Sequence, residues 1–285
     1  MSKQMKGVLF SFGSVIIMAL TPVMNKLSLS SLTPIQASFL NAFFSTIFTL
    51  IFVLMSRKKV KWVTNKYLLM IGVLNTLGIL LQYYSSAILD PVTIGLLGRF
   101  YIVFAVILSF VILKEPMKRS DALPILMTIL GSFVIAGVDG DFSNILGVVG
   151  AVSYTFFFAL TNILAKKGLE KADTQIVLLY NQLISSVLLL LVMLFTGQGN
   201  IQISSGVSTV FISALCSGFV GLLFFYESLK YISFRNSNLI RTSSPIFVFL
   251  LSIPFLPVHL TINLLVGGGL IIVSVFLMNI HKGES

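Results

Sequence analysis

The chain alternates long apolar runs with short polar or charged connectors from one end to the other. Each run is close to the roughly 20 residues that an α-helix needs to cross a bilayer. The connectors are too short to hold a domain outside the membrane, so the pattern predicts an all-α integral membrane protein with ten transmembrane helices. Numbered in chain order as spans one to ten, these fall at residues 7–25, 34–55, 67–89, 91–113, 122–138, 145–165, 175–196, 207–229, 236–256 and 260–280.

One charged residue stands inside the fourth of these runs. Between Pro91 and Leu113 the only charged side chain is Arg99. An arginine near the centre of a span costs roughly 2.5 kcal/mol or more, and such residues usually face a protein interior or a water-filled cavity. Arg99 therefore predicts a cavity within the membrane. The alternative is that the guanidinium pairs with a backbone carbonyl or extends to the interface.

The second half of the chain repeats polar positions of the first half. Around Arg99, adding 142 to the residue number gives an identical residue at six positions. Nearer the N-terminus, an offset of 140 also gives identical residues. Apolar helices match each other easily, so the polar identities carry the argument. They predict two five-helix copies, at residues 1–142 and 143–285. The six pairs are Tyr84 and Tyr226, Ser86 and Ser228, Leu97 and Leu239, Arg99 and Arg241, Val106 and Val248, and Leu108 and Leu250.

An odd number of spans in each copy predicts that the second copy enters the membrane upside down relative to the first. Inverted repeats are typical of secondary transporters, in which substrate binds near the bilayer midplane between the repeats. At a helical rise of about 1.5 Å per residue, Arg99 and Arg241 both lie near that midplane. We therefore expect two inverted five-helix repeats around a central cavity.

Composition and charge narrow the class further. With 56% hydrophobic and 10% charged residues, the chain cannot form a soluble globule, in which about a quarter of the residues are charged. The net charge of +10 does not indicate nucleic acid binding, because the basic residues are scattered between the apolar runs. If the N-terminus is cytoplasmic, sixteen of the 19 Lys and Arg residues fall on inner connectors and only Lys26 lies outside. The positive-inside rule then places both termini on the cytoplasmic side of the membrane.

The residues available for chemistry are few. The single cysteine, Cys216, excludes an intrachain disulfide and a thiolate metal cluster. Catalysis needs a nucleophile with a base in reach, or a metal set, and the two histidines, His259 and His281, stand at span ends. We therefore expect no enzyme, no cofactor and no bound metal. The first apolar run lacks a small-residue cleavage site, so we interpret it as a retained span.

Polar side chains on the other spans are candidates for the cavity wall. On span three, Asn75, Gln82 and Ser86 share one helical face, where they either line a cavity or bond neighbouring helices. A second group, on spans two and seven, favours the packing interpretation; it consists of Asn41, Ser45, Asn181, Gln182, Ser185 and Ser186. The remaining candidates for substrate contact are Tyr84, Tyr101, Tyr154, Asn162, Tyr226 and Asn238.

A few positions suggest roles other than direct binding. Glu227 is the one carboxylate placed within a span and is a candidate proton carrier, although a structural ion pair with Lys230, Arg235 or Arg241 is favoured. Pro22 and Pro245 are expected to kink spans one and nine and to contribute to gating. The glycine run 267–269 permits close helix packing or a dimer contact, so monomer and homodimer both stay open.

Each half carries a Tyr-x-Ser pattern followed by a hairpin and an arginine, and each half also has a short motif of its own. The motifs are Leu113-Lys114-Glu115 with Gly131 and Gly137 in the first half, and Leu239-Ile240-Arg241 with Ser244-Pro245 in the second. Together they resemble the EamA-type branch of the drug/metabolite transporter superfamily over nearly the whole chain. The resemblance implies ten helices around a cavity lined mainly by helices one, three, four, six, eight and nine. It also implies alternating access that carries a small metabolite across the cell (inner) membrane, commonly outward. The chain departs from the pattern at Val103 and Pro257, which stand opposite Pro245 and Glu115.

These arguments favour a secondary transporter, more specifically an exporter, that moves a small polar metabolite such as an amino acid. An anionic or zwitterionic substrate is favoured, because arginines bind carboxylate or phosphate bidentately. An exchanger of phosphorylated or nucleotide-linked metabolites is the runner-up, and is favoured if Lys26 opens onto the same cavity as Arg99 and Arg241. A membrane protein with a structural or sensory role and no transport is the alternative of a different class. Coupling to protons or to a counter-substrate stays open.

Overall fold

The computed structural model describes residues 2–56, 66–114, 122–136, 142–256 and 261–280, and the regular structure within these ranges is helical. Two π-helical turns, Ser109–Leu113 and Ala214–Gly221, continue α6 and α10, and a 3₁₀ turn, Arg241–Ser243, continues α12. The helices, numbered in chain order, are α1 (Lys3–Met18), α2 (Thr21–Ser28), α3 (Pro34–Met55), α4 (Lys66–Ile88), α5 (Pro91–Leu97), α6 (Phe100–Leu108), α7 (Ala122–Ala136), α8 (Phe142–Leu169), α9 (Thr174–Phe195), α10 (Ser205–Ser213), α11 (Leu222–Ser228), α12 (Phe234–Ile240), α13 (Ser244–Ser252) and α14 (Ile262–Ile280).

Seven helical segments of the described chain are long and apolar enough to cross a membrane, by length and composition. They match the predicted spans one to four and six to eight. The predicted spans five, nine and ten are also helical, as α7, α12 with α13, and α14, but they are not among the seven. The chain is therefore a multi-pass membrane protein, and the full count of ten spans stays a prediction. The seven segments are Lys3–Ser28, Pro34–Met55, Lys66–Ile88, Pro91–Leu113, Ile145–Leu169, Thr174–Phe195 and Ser205–Ser228.

Short interruptions divide the spans at places that the local sequence explains. Pro22 lies in the first turn of α2, where its missing N–H leaves no helical hydrogen bond unmade. Spans three and four are joined by a tight hairpin, since α4 ends at Ile88 and α5 begins at Pro91 directly after Asp90. The Asp90 carboxylate caps α5 by accepting hydrogen bonds from the backbone N–H groups of Val92 (2.9 Å) and Thr93 (3.0 Å).

The two halves pack against each other through a symmetric set of helix pairs. α4 lies against α8, while α1 and α2 lie against α11 and α10. In addition α3 packs on α9, α5 on α13, and α7 on α14. Three of these pairs join equivalent helices of the two repeats. In the other pairs, α4 lies on α8 in the same way as α10 and α11 lie on α2 and α1. This is the arrangement expected for two five-helix repeats related by a twofold axis.

The largest buried apolar cluster lies at one end of the bundle, where α4, α9 and α12 begin and α8 and α11 end. Phe225, Tyr226 and Phe234 are among its fully buried rings. This is the end that the distribution of Lys and Arg predicts to be cytoplasmic. Smaller separate clusters, around Tyr83 and around Leu97, fill the opposite half. The two ends are therefore packed differently.

Close packing of α7 on α14 depends on glycines that face each other. A Cβ added at Gly131 would lie 2.6 Å from the carbonyl oxygen of Gly267, and a Cβ at Gly268 would lie 2.9 Å from the Leu96 side chain. A Cβ at Gly269 would have no neighbour within 4 Å. Gly268, in the middle of the predicted glycine run, therefore serves packing within the chain, and the backbone of Gly267 lies against Gly131.

Gly131→Ala should push α7 away from α14, because the added Cβ overlaps the facing backbone. Overpacking of this kind costs about 1–3 kcal/mol, so the thermal unfolding midpoint of the detergent-solubilised protein is expected to fall. Gly269→Ala is the matched control, since it makes the same change at an open position of α14. Equal midpoints for the two variants would contradict this account of the contact.

Candidate functional site

A cavity of about 170 Å³ lies between the two halves of the bundle. Among the described residues, its wall takes side chains from eight of the predicted spans, all except five and ten. Spans two and seven each add one amide, Asn41 and Gln182, to the six helices that the family resemblance implied. The polar and charged members of the wall are Thr21, Asn41, Asn75, Gln82, Arg99, Tyr101, Tyr154, Thr155, Asn162, Gln182, Ser217, Arg241 and Ser244.

Both predicted arginines lie on this wall, and each stands where its helix is broken. Arg99 lies between the end of α5 and the start of α6, and Arg241 begins the 3₁₀ turn between α12 and α13. Equivalent positions in the two halves thus carry the same side chain and a similar interruption. The Arg241 carbonyl oxygen accepts from the backbone N–H of Ser244, and because a carbonyl oxygen has two lone pairs it can accept a second hydrogen bond.

The Arg99 guanidinium bonds backbone carbonyls of both halves. Its Nε donates to the carbonyl oxygen of Gly95, 3.3 Å away, and its Nη1 donates to the carbonyl oxygen of Arg241. The second bond joins the junction of α5 and α6 to the 3₁₀ turn of the other half. An arginine has five N–H donors, so these two bonds leave donors that a ligand can use.

The Arg241 guanidinium packs among aromatic rings. Its central carbon lies 4.2 Å from the ring centre of Phe225 and 5.4 Å from that of Tyr101, and its Nη2 donates to the sulfur of Met18 at 2.9 Å. Contacts of a cation with an aromatic face contribute about 0.5–2 kcal/mol each. Neither Arg241 nor Arg99 contacts a carboxylate among the described residues. Both therefore bring net positive charge to the cavity.

The structure brings most, but not all, of the predicted site residues together. The cavity wall contains Arg99, Arg241, Asn75, Gln82, Tyr101, Tyr154, Asn162 and Pro22. Within the described part of the chain, the wall does not contain Tyr84, Ser86, Tyr226 or Glu227. Tyr84 is 44% exposed on the outside of the bundle, whereas Ser86 and Tyr226 are buried between helices. The side chains of Asn238 and Pro245 lie outside the described residues, although their backbone belongs to α12 and α13.

Two of the residues off the wall have other partners. The Tyr226 hydroxyl accepts a hydrogen bond from Nδ2 of Asn181 at 3.2 Å. Glu227 forms an ion pair with Lys230 at 2.8 Å, and both side chains are partly exposed. A structural ion pair was favoured for Glu227 from the sequence, and its partner is Lys230 rather than Arg241.

The amides of spans two and seven join helices, as expected, but two of them also line the cavity, which was not expected. Asn41 donates from Nδ2 to the hydroxyl of Ser213 at 3.4 Å. Gln182 donates from Nε2 to the carbonyl oxygen of Gly218 at 2.8 Å. Interhelical bonding and cavity lining are therefore compatible at one position, because an amide has both a donor end and an acceptor end.

Sequence reasoning missed Ser217 and Gly218, which reach the wall from the π-helical turn Ala214–Gly221. A π turn holds more residues than an α turn and so changes which side chains face inward, and a search at a period of 3.6 residues cannot find them. A Cβ at Gly218 would lie 1.8 Å from the Ser45 hydroxyl, so only glycine lets this turn approach α3. The available signal is the string of small residues inside an apolar span.

Lys26 is directed away from the two arginines. Its Nζ donates to the carbonyl oxygen of Ala87, 3.1 Å away, at the end of α4. Within the described chain, Lys26 is not part of the cavity wall. Three cations on one cavity would have favoured a phosphorylated substrate, and that condition is not met.

A helical bundle with internal repeats and charged side chains around a buried cavity is the general form of a membrane transporter. A model of the EamA-like transporter family matches residues 5–137 and again residues 145–280. The chain therefore belongs to this family. A crystal structure of another protein covers 99% of this chain and 100% of its own, with a TM-score of 0.74 and 13% identity, so the two share a fold. No match was found among curated proteins.

The cavity wall should be reachable by water-soluble reagents. In a Cys216→Ala background, Gln82→Cys is expected to react with a hydrophilic thiol reagent, because Gln82 is partly exposed and lies on the wall. Ser45→Cys is the control, since Ser45 is fully buried between helices. Modification of both variants at one rate would contradict the assignment of a hydrated cavity.

Proposed function

We propose that this protein is a secondary transporter that exports a small anionic or zwitterionic metabolite, such as an amino acid, across the cell (inner) membrane. The cavity is the substrate site, the second repeat is inverted relative to the first, and both termini face the cytoplasm. Membership of the EamA-like transporter family supports transport. The positive-inside distribution of Lys and Arg supports the orientation, and the outward direction rests on the family resemblance.

The observation that carries this proposal is the pair of guanidinium groups on one cavity wall. Arg99 and Arg241 come from equivalent breaks in the two halves and contact no carboxylate among the described residues. A buried charge without a counter-charge is strongly unfavourable. A ligand carboxylate supplies that counter-charge and accepts two parallel hydrogen bonds from an arginine.

The size of the cavity favours a small substrate over the runner-up. Its volume of about 170 Å³ is below the roughly 300–1,000 Å³ that drug-sized ligands occupy. A nucleotide-linked sugar is at least as large as a drug-sized ligand. In addition, Lys26 would not reach its phosphates from the end of α4. An amino acid or a comparable carboxylate suits the space better.

The unequal packing of the two ends supports alternating access. Among the described residues, the large apolar cluster around Phe225 and Phe234 fills the end predicted to be cytoplasmic, whereas three smaller clusters lie elsewhere. Transport requires the packing of one end to loosen while the other end closes. The breaks at Arg99 and Arg241 lie beside the cavity, where a change of helix angle would alter access from either side.

A thermal-shift panel on the purified protein tests the substrate class. It should include amino acids, nucleotides, sugar phosphates and cationic drugs, because a ligand that binds only the native state raises the unfolding midpoint. We expect an amino acid or related carboxylate to give the largest rise and to be transported into proteoliposomes. Stabilisation by nucleotides or sugar phosphates alone would favour the exchanger. Binding without flux would favour a structural or sensory role.

Arg99→Ala is expected to weaken substrate binding and flux. A hydrogen bond to a charged group contributes about 1.5–3 kcal/mol, so the half-saturating concentration should rise by roughly tenfold to a hundredfold. Lys26→Ala is the control, since it removes a cation that lies off the cavity wall. Unchanged flux and affinity in a stably folded Arg99→Ala variant would overturn the role given to Arg99.

Glu227→Gln is expected to keep any dependence of flux on a pH gradient. Glu227 pairs with Lys230 away from the cavity, and a partly exposed pair of this kind contributes only about 0–1 kcal/mol to stability. Lys230→Gln breaks the same ion pair from the other side and should behave alike. Loss of the pH-gradient dependence in Glu227→Gln alone would identify the carboxylate as a proton carrier.

A further inference from the structure

Two pairs of helices contribute groups of different chemistry to the cavity wall. α5 packs on α13, and the arginines stand at the breaks next to these helices. α4 packs on α9, and these helices contribute the amides Asn75 and Gln182. The first pair supplies hydrogen-bond donors that carry positive charge. What the second pair supplies depends on which end of each amide faces the cavity.

The hydrogen bonds of Ser185 fix the orientation of Asn75. The Ser185 hydroxyl donates to the carbonyl oxygen of Asn181 at 2.8 Å, and the carbonyl oxygen of Gly72 lies 3.1 Å away. Its one proton is therefore committed to backbone acceptors, and Ser185 can only accept from Nδ2 of Asn75 at 3.0 Å. The NH₂ end of Asn75 thus faces α9, and its Oδ1 accepts no hydrogen bond from a described residue.

A backbone carbonyl fixes the orientation of Gln182 in the same way. Gly218 offers only its carbonyl oxygen, so the atom of Gln182 that lies 2.8 Å from it must be the donor Nε2. The Gln182 side chain is 2% exposed, and its Oε1 is buried without a hydrogen-bond partner among the described residues. A buried acceptor left in this condition costs about 1–3 kcal/mol. A ligand donor that reaches this oxygen through a small shift of the side chain would remove that penalty.

We propose that Asn75 and Gln182 form the ammonium subsite for an α-amino acid whose carboxylate binds Arg99 and Arg241. This assignment rests on the proposed transport function and makes it more specific. An α-ammonium group donates up to three hydrogen bonds, and both amide residues belong to one cavity wall with the arginines. The carboxylate and ammonium of an α-amino acid are separated by a single carbon, which suits a cavity of this small volume.

The division of the wall also explains how the site rejects related compounds. A carboxylic acid without the amine would leave the amide oxygens unpaired, which is unfavourable for buried groups. An amine without the carboxylate would meet two guanidinium groups of like charge. Because no described carboxylate stands beside the amides, the ammonium is held by neutral oxygens and by the substrate's own carboxylate. The site therefore requires both charges on one molecule.

Binding of matched ligand sets by the purified full-length protein tests the subsite. The standard α-amino acids are measured first, and each one that binds is compared with its deaminated carboxylate and its decarboxylated amine. For leucine, these are 4-methylpentanoate and 3-methylbutylamine. The variants are Asn75→Leu and Gln182→Leu. The control is Asn181→Leu, which removes an amide of α9 that bonds Tyr226 and is not part of the cavity wall.

The wild type is expected to bind the amino acid more tightly than either analogue. Asn75→Leu and Gln182→Leu should weaken amino acid binding by roughly tenfold or more and leave binding of the deaminated carboxylate unchanged. Asn181→Leu lowers the unfolding midpoint but keeps the preference for the amino acid. Equal loss of affinity for amino acid and carboxylate in the two cavity variants, or no preference in the wild type, would overturn the subsite. Transport of a carboxylate would then leave the proposed function intact, whereas absence of binding by every ligand class would overturn both.

Discussion

A guanidinium group inside a bilayer must be met by water, a solute or protein acceptors, and this requirement shapes the centre of the molecule. The polypeptide meets it partly with backbone carbonyls next to the helix breaks at Arg99 and Arg241, which accept hydrogen bonds from the Arg99 guanidinium. Aromatic faces and a sulfur atom supply the rest of the surroundings of Arg241. None of these contacts neutralises the charge, and the cavity is therefore suited to anionic groups.

Other polar side chains of the bundle form hydrogen bonds or ion pairs of their own. Lys26 bonds a carbonyl at the end of α4, and Glu227 pairs with Lys230. Amides such as Asn75 and Gln182 direct their NH₂ groups to neighbouring helices. Close approach of the π turn at Gly218 allows one of these bonds to form. Helix packing and the polarity of the cavity thus depend on the same side chains.

Hydropathy and charge predict much of this protein because each acts over a whole span. The run lengths locate the helices, and the cost of burying a cation locates Arg99 and Arg241 on a cavity. The repeat pattern is less informative about surroundings: Tyr84 and Tyr226 occupy equivalent positions, yet one is 44% exposed and the other is fully buried. Identity between repeats reflects common descent, whereas environment depends on which helices pack nearby. Ser217 and Gly218 escaped prediction because a π turn departs from the period that sequence analysis assumes.

The bond from Arg99 to the carbonyl oxygen of Arg241 has no counterpart in the reverse direction among the described contacts. The two equivalent residues therefore have different roles. The Arg99 side chain donates a hydrogen bond across the interface between the halves, and the Arg241 backbone accepts it. Alternating access, as proposed for this protein, would exchange these two roles, so that Arg241 donates to the carbonyl oxygen of Arg99 in the opposite form.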